Sequence, residues 1–119
     1  MSTPSQIRYV DAPISTELLK QLAAEQFGDM VKAVVDIEKG VMAISGELHA
    51  DEEAYLLDKG SEQKNLWGIN IYLDQPLLQA IEFDSMINVR PSQGNRSRSV
   101  EDEGLRAKIA KVVESLIIT

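Results

Sequence analysis

Cysteine is absent from the sequence, which excludes disulfides, thiolate catalysis and zinc–thiolate centres. Histidine occurs once, at His49, so a single chain holds no histidine-rich metal site. No apolar run approaches the roughly 18 residues that a membrane-spanning helix requires. Residues 1–6 are small and polar and lack the basic and apolar regions of a signal peptide. Positive charge is scarce, with 12 basic residues against 19 acidic ones and a net charge of −7. That balance argues against nucleic acid and anionic membranes as partners. The phosphate-binding P-loop, Gly-x-Gly-x-x-Gly, Gly-x-Ser-x-Gly and His-Glu-x-x-His are all missing, and no cofactor is called for. A cytoplasmic protein is the expectation that remains.

What is present reads as one domain over residues 7–119 behind a disordered N-terminus at residues 1–6. Residues 7–10 suit a short edge strand. Ser15 suits a helix N-cap, Glu17 the positive first turn, and Leu18, Leu19, Leu22, Ala23 and Phe27 an apolar helical stripe that ends at Gly28. Residues 30–37 and 41–48 alternate as two strands of a hairpin turned at Gly40. Residues 50–58 form an acidic-first-turn helix closed by Gly60. Residues 66–73 and 81–89 make a second hairpin. In its second strand Ile81, Phe83, Ser85, Ile87 and Val89 are expected to face inward, and Glu82, Asp84, Met86, Asn88 and Arg90 outward. Ser99 is the expected cap of a last helix, with Asp102 in the capping-box position and Leu105, Ile109, Val112, Val113 and Leu116 as its stripe.

The fold class that follows is α+β. An antiparallel sheet of four or five strands carries three helices on one face, in the order helix, two strands, helix, two strands, helix. Val31, Val35, Ile44, Trp67, Ile69, Ile71, Phe83, Ile87, Leu105, Ile109 and Val112 are the expected core. So small a sheet leaves edges to cover, and a homodimer through Val34, Met42, Ile44 or Met86 is one way to cover them.

Residues 88–98 (NVRPSQGNRSR) are the chain's densest chemistry. Three arginines, two asparagines and two serines surround one proline and one glycine with no acidic residue. Guanidinium forks and turn N–H groups of this kind can cradle an anion. Pro91 holds Arg90 in an extended conformation, which aims its side chain. The bland alternative is a polar strand-to-helix turn in which Arg90 pairs with Asp84 or Glu82 and the other arginines are solvated. His49, flanked by Glu47, Asp51 and Glu52, is the candidate catalytic base, with a divalent metal as a second option. Acidic first turns are common for helix-dipole reasons alone, and the structural reading of His49 is favoured. Ser61 follows a glycine and could donate to a ligand. Trp67 is in phase with Ile69 and Ile71 and belongs to the core rather than to a stacking platform.

The motifs GELHAD (46–51), Gly60-Ser61, LWGIN (66–70) and SMINVRPSQGNR (85–96) resemble those of a small bacterial protein family of unknown function, over nearly the whole domain. The resemblance implies no activity and no catalytic residue. It does group His49, Ser61, Trp67, Asn70, Ser85, Asn88, Arg90, Asn95 and Arg96 as one set. The functional expectation is therefore a domain that binds a small anionic ligand through Arg90, Asn95, Arg96, Asn88, Ser61 and Ser85, with His49 near. Catalysis is left open, and the alternative is a non-enzymatic module that self-associates.

Overall fold

A computed structural model describes residues 6–118. The disordered N-terminus expected for residues 1–6 lies outside the described residues, apart from Gln6. Five strands form one antiparallel sheet in the order β1-β4-β3-β5-β6: β1 (Arg8–Val10), β3 (Met30–Asp36), β4 (Val41–Ile44), β5 (Leu66–Tyr72) and β6 (Ile81–Glu82). Three long helices, α1 (Thr16–Gln26), α2 (His49–Asp58) and α4 (Glu103–Leu116), accompany it, with a single-turn α3 at Leu77–Ala80. A second, parallel pairing joins β2 (Ile14–Ser15) to β7 (Ile117–Ile118). None of the described helices is long and apolar enough to cross a membrane.

Several expected caps and stripes form for the reasons that predict them, although Phe27, expected in the α1 stripe, sits past the helix end and is exposed. Ser15 Oγ accepts from the Leu18 N–H and starts α1. On α4 the buried side chains Ile109, Val112, Val113 and Leu116 recur at three- and four-residue steps. Each stabilises the fold by roughly 1.5–3 kcal/mol relative to exposure. They meet Val31, Val35, Ile44, Trp67, Ile69 and Ile71 of the sheet, all buried as expected. Phe83 and Leu105 are partly buried against the same cluster, and Ile87 packs against a different one.

Four expectations need correction. The helices are not all on one face: α1 and α4 cover one side of the sheet, while Leu56 of α2 packs on the other side with Val34, Ala43 and Leu66. The strand expected over 41–48 stops at Ile44, because Ser45 turns into the left-handed region with a φ of 71°. The last helix is capped by Asp102, whose Oδ1 accepts from the Gly104 and Leu105 N–H groups, and not by Ser99.

The fourth is the strand expected over 81–89, which stops after Glu82 and yields to a helical turn at Met86–Asn88. The cause is Asn88. Its Oδ1 accepts from the Gly68 N–H at 2.8 Å and its Nδ2 donates to the Gly68 carbonyl at 2.9 Å. One side-chain amide thus takes the two ladder bonds that a continuing strand would have made to β5. Gly68 permits the approach, since a Cβ there would lie 2.6 Å from Ser85 Cβ. The inward–outward pattern fails with the strand: Asn88 and Arg90 are buried, while Val89 is exposed. Val34, Met42 and Ile44, considered for a dimer contact, are fully buried, and only Met86 of that set is exposed, at 66%.

Candidate functional site

The polar residues of the 85–98 region converge, but on the protein's own main chain. Asn95 donates through Nδ2 to the carbonyls of Asn88, Ser97 and Ser99 and accepts through Oδ1 from the Glu101 N–H. Its backbone exchanges two hydrogen bonds with Arg90. The Arg90 guanidinium donates to the Gln63 and Leu66 carbonyls and lies 3.9 Å from the Trp67 ring centroid. Burial holds its pKa below the usual arginine value, against the opposing charge of Glu53. Arg90 is therefore positioned by neighbours, as Pro91 requires, with carbonyls filling its fork in place of Glu82 or Asp84. Ser85 Oγ accepts from the Ile87 N–H, and the Ser85 N–H donates to the Arg98 carbonyl.

The region does hold one anion, the chain's own. Arg96 and Ser97 N–H groups converge on Glu101 Oε2 at 3.0 and 2.9 Å. The Ser97 contacts and the Arg96 N–H keep the Glu101 carboxyl below its ordinary pKa. Arg96 is exposed, and Arg98 forms a surface ion pair with Asp84 at 2.9 Å.

Two further members of the set are also bonded within the fold. Ser61 Oγ donates to Asp36 Oδ2 at 2.7 Å, and Asp36 Oδ1 accepts from Glu38 and Lys39 N–H groups, so the serine braces the first hairpin turn. His49 opens α2 and donates from Nε2 to the Ile69 carbonyl at 2.7 Å, which leaves Nδ1 as the acceptor nitrogen of the neutral ring. Burial lowers its pKa, partly offset by the hydrogen bond to Ile69. Among the described residues no group of three or more His, Asp or Glu is placed to hold a metal ion.

Trp67 Nε1, Asn70 Oδ1 and Arg90 Nε are buried without partners in this region, and a different place carries unsatisfied chemistry as well. Where β4 ends, Ser45 is 3% exposed, adopts its strained φ, and has no hydrogen-bond partner for Oγ. Gln26, the last residue of α1, donates from Nε2 to the Ser45 carbonyl at 2.7 Å. A carbonyl can only accept, so the orientation of this amide is fixed and its buried Oε1 is left as an acceptor without a partner. Gly46 follows Ser45. Its N–H donates to Glu52 Oε2 at 3.0 Å, and a Cβ at Gly46 would meet Glu52 Cγ at 2.6 Å. Glu52 is fully buried with Oε1 unpaired. Desolvation raises its pKa well above the ordinary glutamate value and outweighs the Gly46 hydrogen bond and the charge of Lys32. Glu52 is thereby a buried strut whose hydrogen bond to Gly46 fixes the turn holding Ser45.

This turn borders a groove made of two adjoining hollows. One, of about 560 Å³, is lined by Gln6, Arg8, Leu22, Glu25, Gln26 and Ser45. The other, of about 420 Å³, shares Gln6, Glu25 and Gln26 and adds Phe27, Glu47 and Leu48. Phe27 and Leu48 are 40% and 50% exposed. Volumes of this order suit a small organic ligand. The sequence reading missed this groove. Its one local signal was the Ser45-Gly46 pair, a turn dipeptide.

No match is found among curated proteins, and none among solved structures. A family model does match, over residues 8–116, nearly the whole chain and both polar regions just described. By that match the chain belongs to the family described as Protein of unknown function (DUF5674).

Proposed function

We propose that this domain binds a small polar ligand in the groove between α1 and β1, beneath Ser45. The observation that carries the reading is the pairing of a strained, buried, unpartnered Ser45 with the unpartnered Oε1 of Gln26 at one hollow. Buried polar groups are almost always hydrogen-bonded, and backbone strain in a non-glycine residue is retained where something else depends on it. Asn88 and Asn95, by contrast, have their side-chain amides engaged by the main chain, and Arg90 keeps only its Nε without a partner. The test is a fragment screen read by amide nitrogen–proton correlation spectra. Ligands of the groove shift the signals of Ser45, Gly46 and Phe27. A screen in which no fragment moves these signals removes the reading.

A second reading keeps a small anion at residues 94–101. Its support is the Arg96–Ser97 N–H pair, which already holds a carboxylate. A ligand carboxylate or phosphate would take the place of Glu101, with the exposed Arg96 beside it. Glu101→Gln should then raise phosphate affinity measurably, and an unchanged affinity disposes of the reading.

A further inference from the structure

We infer that the ligand of the groove is an organic ammonium ion carrying an apolar tail. The inference rests on the groove reading above and adds the sign of the ligand. Gln26 Oε1 is an acceptor and cannot donate, because its Nε2 is committed to the Ser45 carbonyl. Ser45 lines the first hollow, and its buried, unpartnered Oγ can accept as well as donate. Glu25 lines both hollows and places a carboxylate beside Gln26. A ligand head at this shared wall meets acceptors and negative charge, which an ammonium satisfies and a carboxylate or phosphate does not.

The rest of the groove sets the tail. Phe27 and Leu48, both substantially exposed, line the second hollow and offer apolar surface within the same groove as the acceptors. Arg8 lines only the first hollow. Ser45 shares the first hollow with Arg8, so the ammonium is placed at the Glu25 and Gln26 wall common to both hollows, with the tail running toward Phe27 and Leu48. The net charge of −7 favours approach of a cation over the whole surface.

Phenethylamine, phenylacetate and phenylacetamide have similar shapes and differ in charge, and each is titrated into the intact chain. Phenethylamine should shift the Ser45, Gly46 and Phe27 amide signals saturably, and phenylacetate should not. Gln26→Leu and Ser45→Gly should each weaken the amine by about tenfold or more, as expected for a lost hydrogen bond to a charged group. Gln26→Glu should tighten it. If phenylacetate or phenylacetamide binds better and with the same dependence on Ser45, the groove stands and the cationic ligand falls. If none of the three binds, while other fragments shift the same signals, the ammonium inference alone falls. If no fragment of any kind does, both fall. If the amine binds with unchanged affinity in both variants, it is held by diffuse charge and the inference is overturned.

Discussion

Replacing Ser45 by glycine should make the protein more stable and less able to bind. A left-handed conformation is unfavourable for a non-glycine residue by roughly 1–2 kcal/mol, and Ser45 holds it with a φ of 71°. Glycine removes that strain, while its looser unfolded chain takes back roughly 0.5–1 kcal/mol. The substitution also deletes a buried hydroxyl without a partner, a group whose desolvation costs about 1–3 kcal/mol when nothing bonds to it. The sum is a gain of about 1 kcal/mol or more, which raises the melting temperature by several degrees in a domain of this size. Ser45→Ala is the control: it deletes the hydroxyl and keeps the strain, so it should fall short of the glycine variant by about 1 kcal/mol. Urea unfolding of the three proteins gives the stabilities, and phenethylamine titration of the same samples gives the binding. A glycine variant that is less stable than wild type by 1 kcal/mol or more would refute the reasoning. It would mean that Ser45 Oγ has a stabilising partner and that the turn is structural.

Asn88→Ala leaves the Gly68 N–H and carbonyl and the Arg98 carbonyl without their side-chain partner. The expected loss is about 3 kcal/mol or more by chemical denaturation, and a loss under about 1 kcal/mol would mean water replaces the amide readily. Gly68→Ala forces a methyl to 2.6 Å from Ser85 Cβ and should cost about 1–3 kcal/mol, part of which Ser85→Gly in the same chain restores. If Ser85→Gly restores nothing, the contact is not the cause. Glu52 keeps its proton in the folded protein to higher pH than in the unfolded chain. The folded state then binds more protons above the ordinary glutamate range, and its stability falls as pH rises until the folded pKa is passed. His49 has the reverse sign: its lowered pKa makes stability fall as pH drops below the ordinary histidine value. Glu52→Gln should therefore raise the urea midpoint at neutral pH and leave a variant that loses stability on mild acidification more steeply than wild type. Equal slopes in the two proteins would contradict a neutral Glu52.

Much of the fold was legible because apolar spacing and capping residues are local signals. Ser15, the α4 stripe and the β3–β4 hairpin all followed from a few adjacent residues. The errors arose where a polar side chain serves the main chain of a distant segment. Alternation over residues 81–89 has the strand period, yet Asn88 is buried in order to bond Gly68, twenty positions earlier. Arg90 is buried for carbonyls 24 and 27 positions away. No local pattern separates such a residue from a solvated one. Ser85, Asn88, Arg90 and Asn95 bond to main-chain groups of the protein itself. The groove escaped because its defining fact is a single backbone angle at Ser45. The Ser-Gly pair marked a turn there, but the apolar residues before it carried the strand reading past its end.

The pairing of β2 with β7 has a consequence for how the chain reaches its fold. Thr16 Oγ1 donates to the Ile118 carbonyl across 102 residues, beside the Ile14–Ile117 register. Closing a loop of that length carries an entropic cost of about 4 kcal/mol from length alone. So remote a contact raises the contact order and slows the search. During synthesis the ribosome delivers α1 first and the residues of β7 some hundred positions later. Through that interval the part of the sheet that α4 packs on, including Val31, Val35 and Ile44, has no α4 to cover it. The hairpins can pair and α1 can pack on β3 as they emerge, but the α4 layer has to await residues 103–116, and the sheet surface it covers is open to off-pathway association until they arrive.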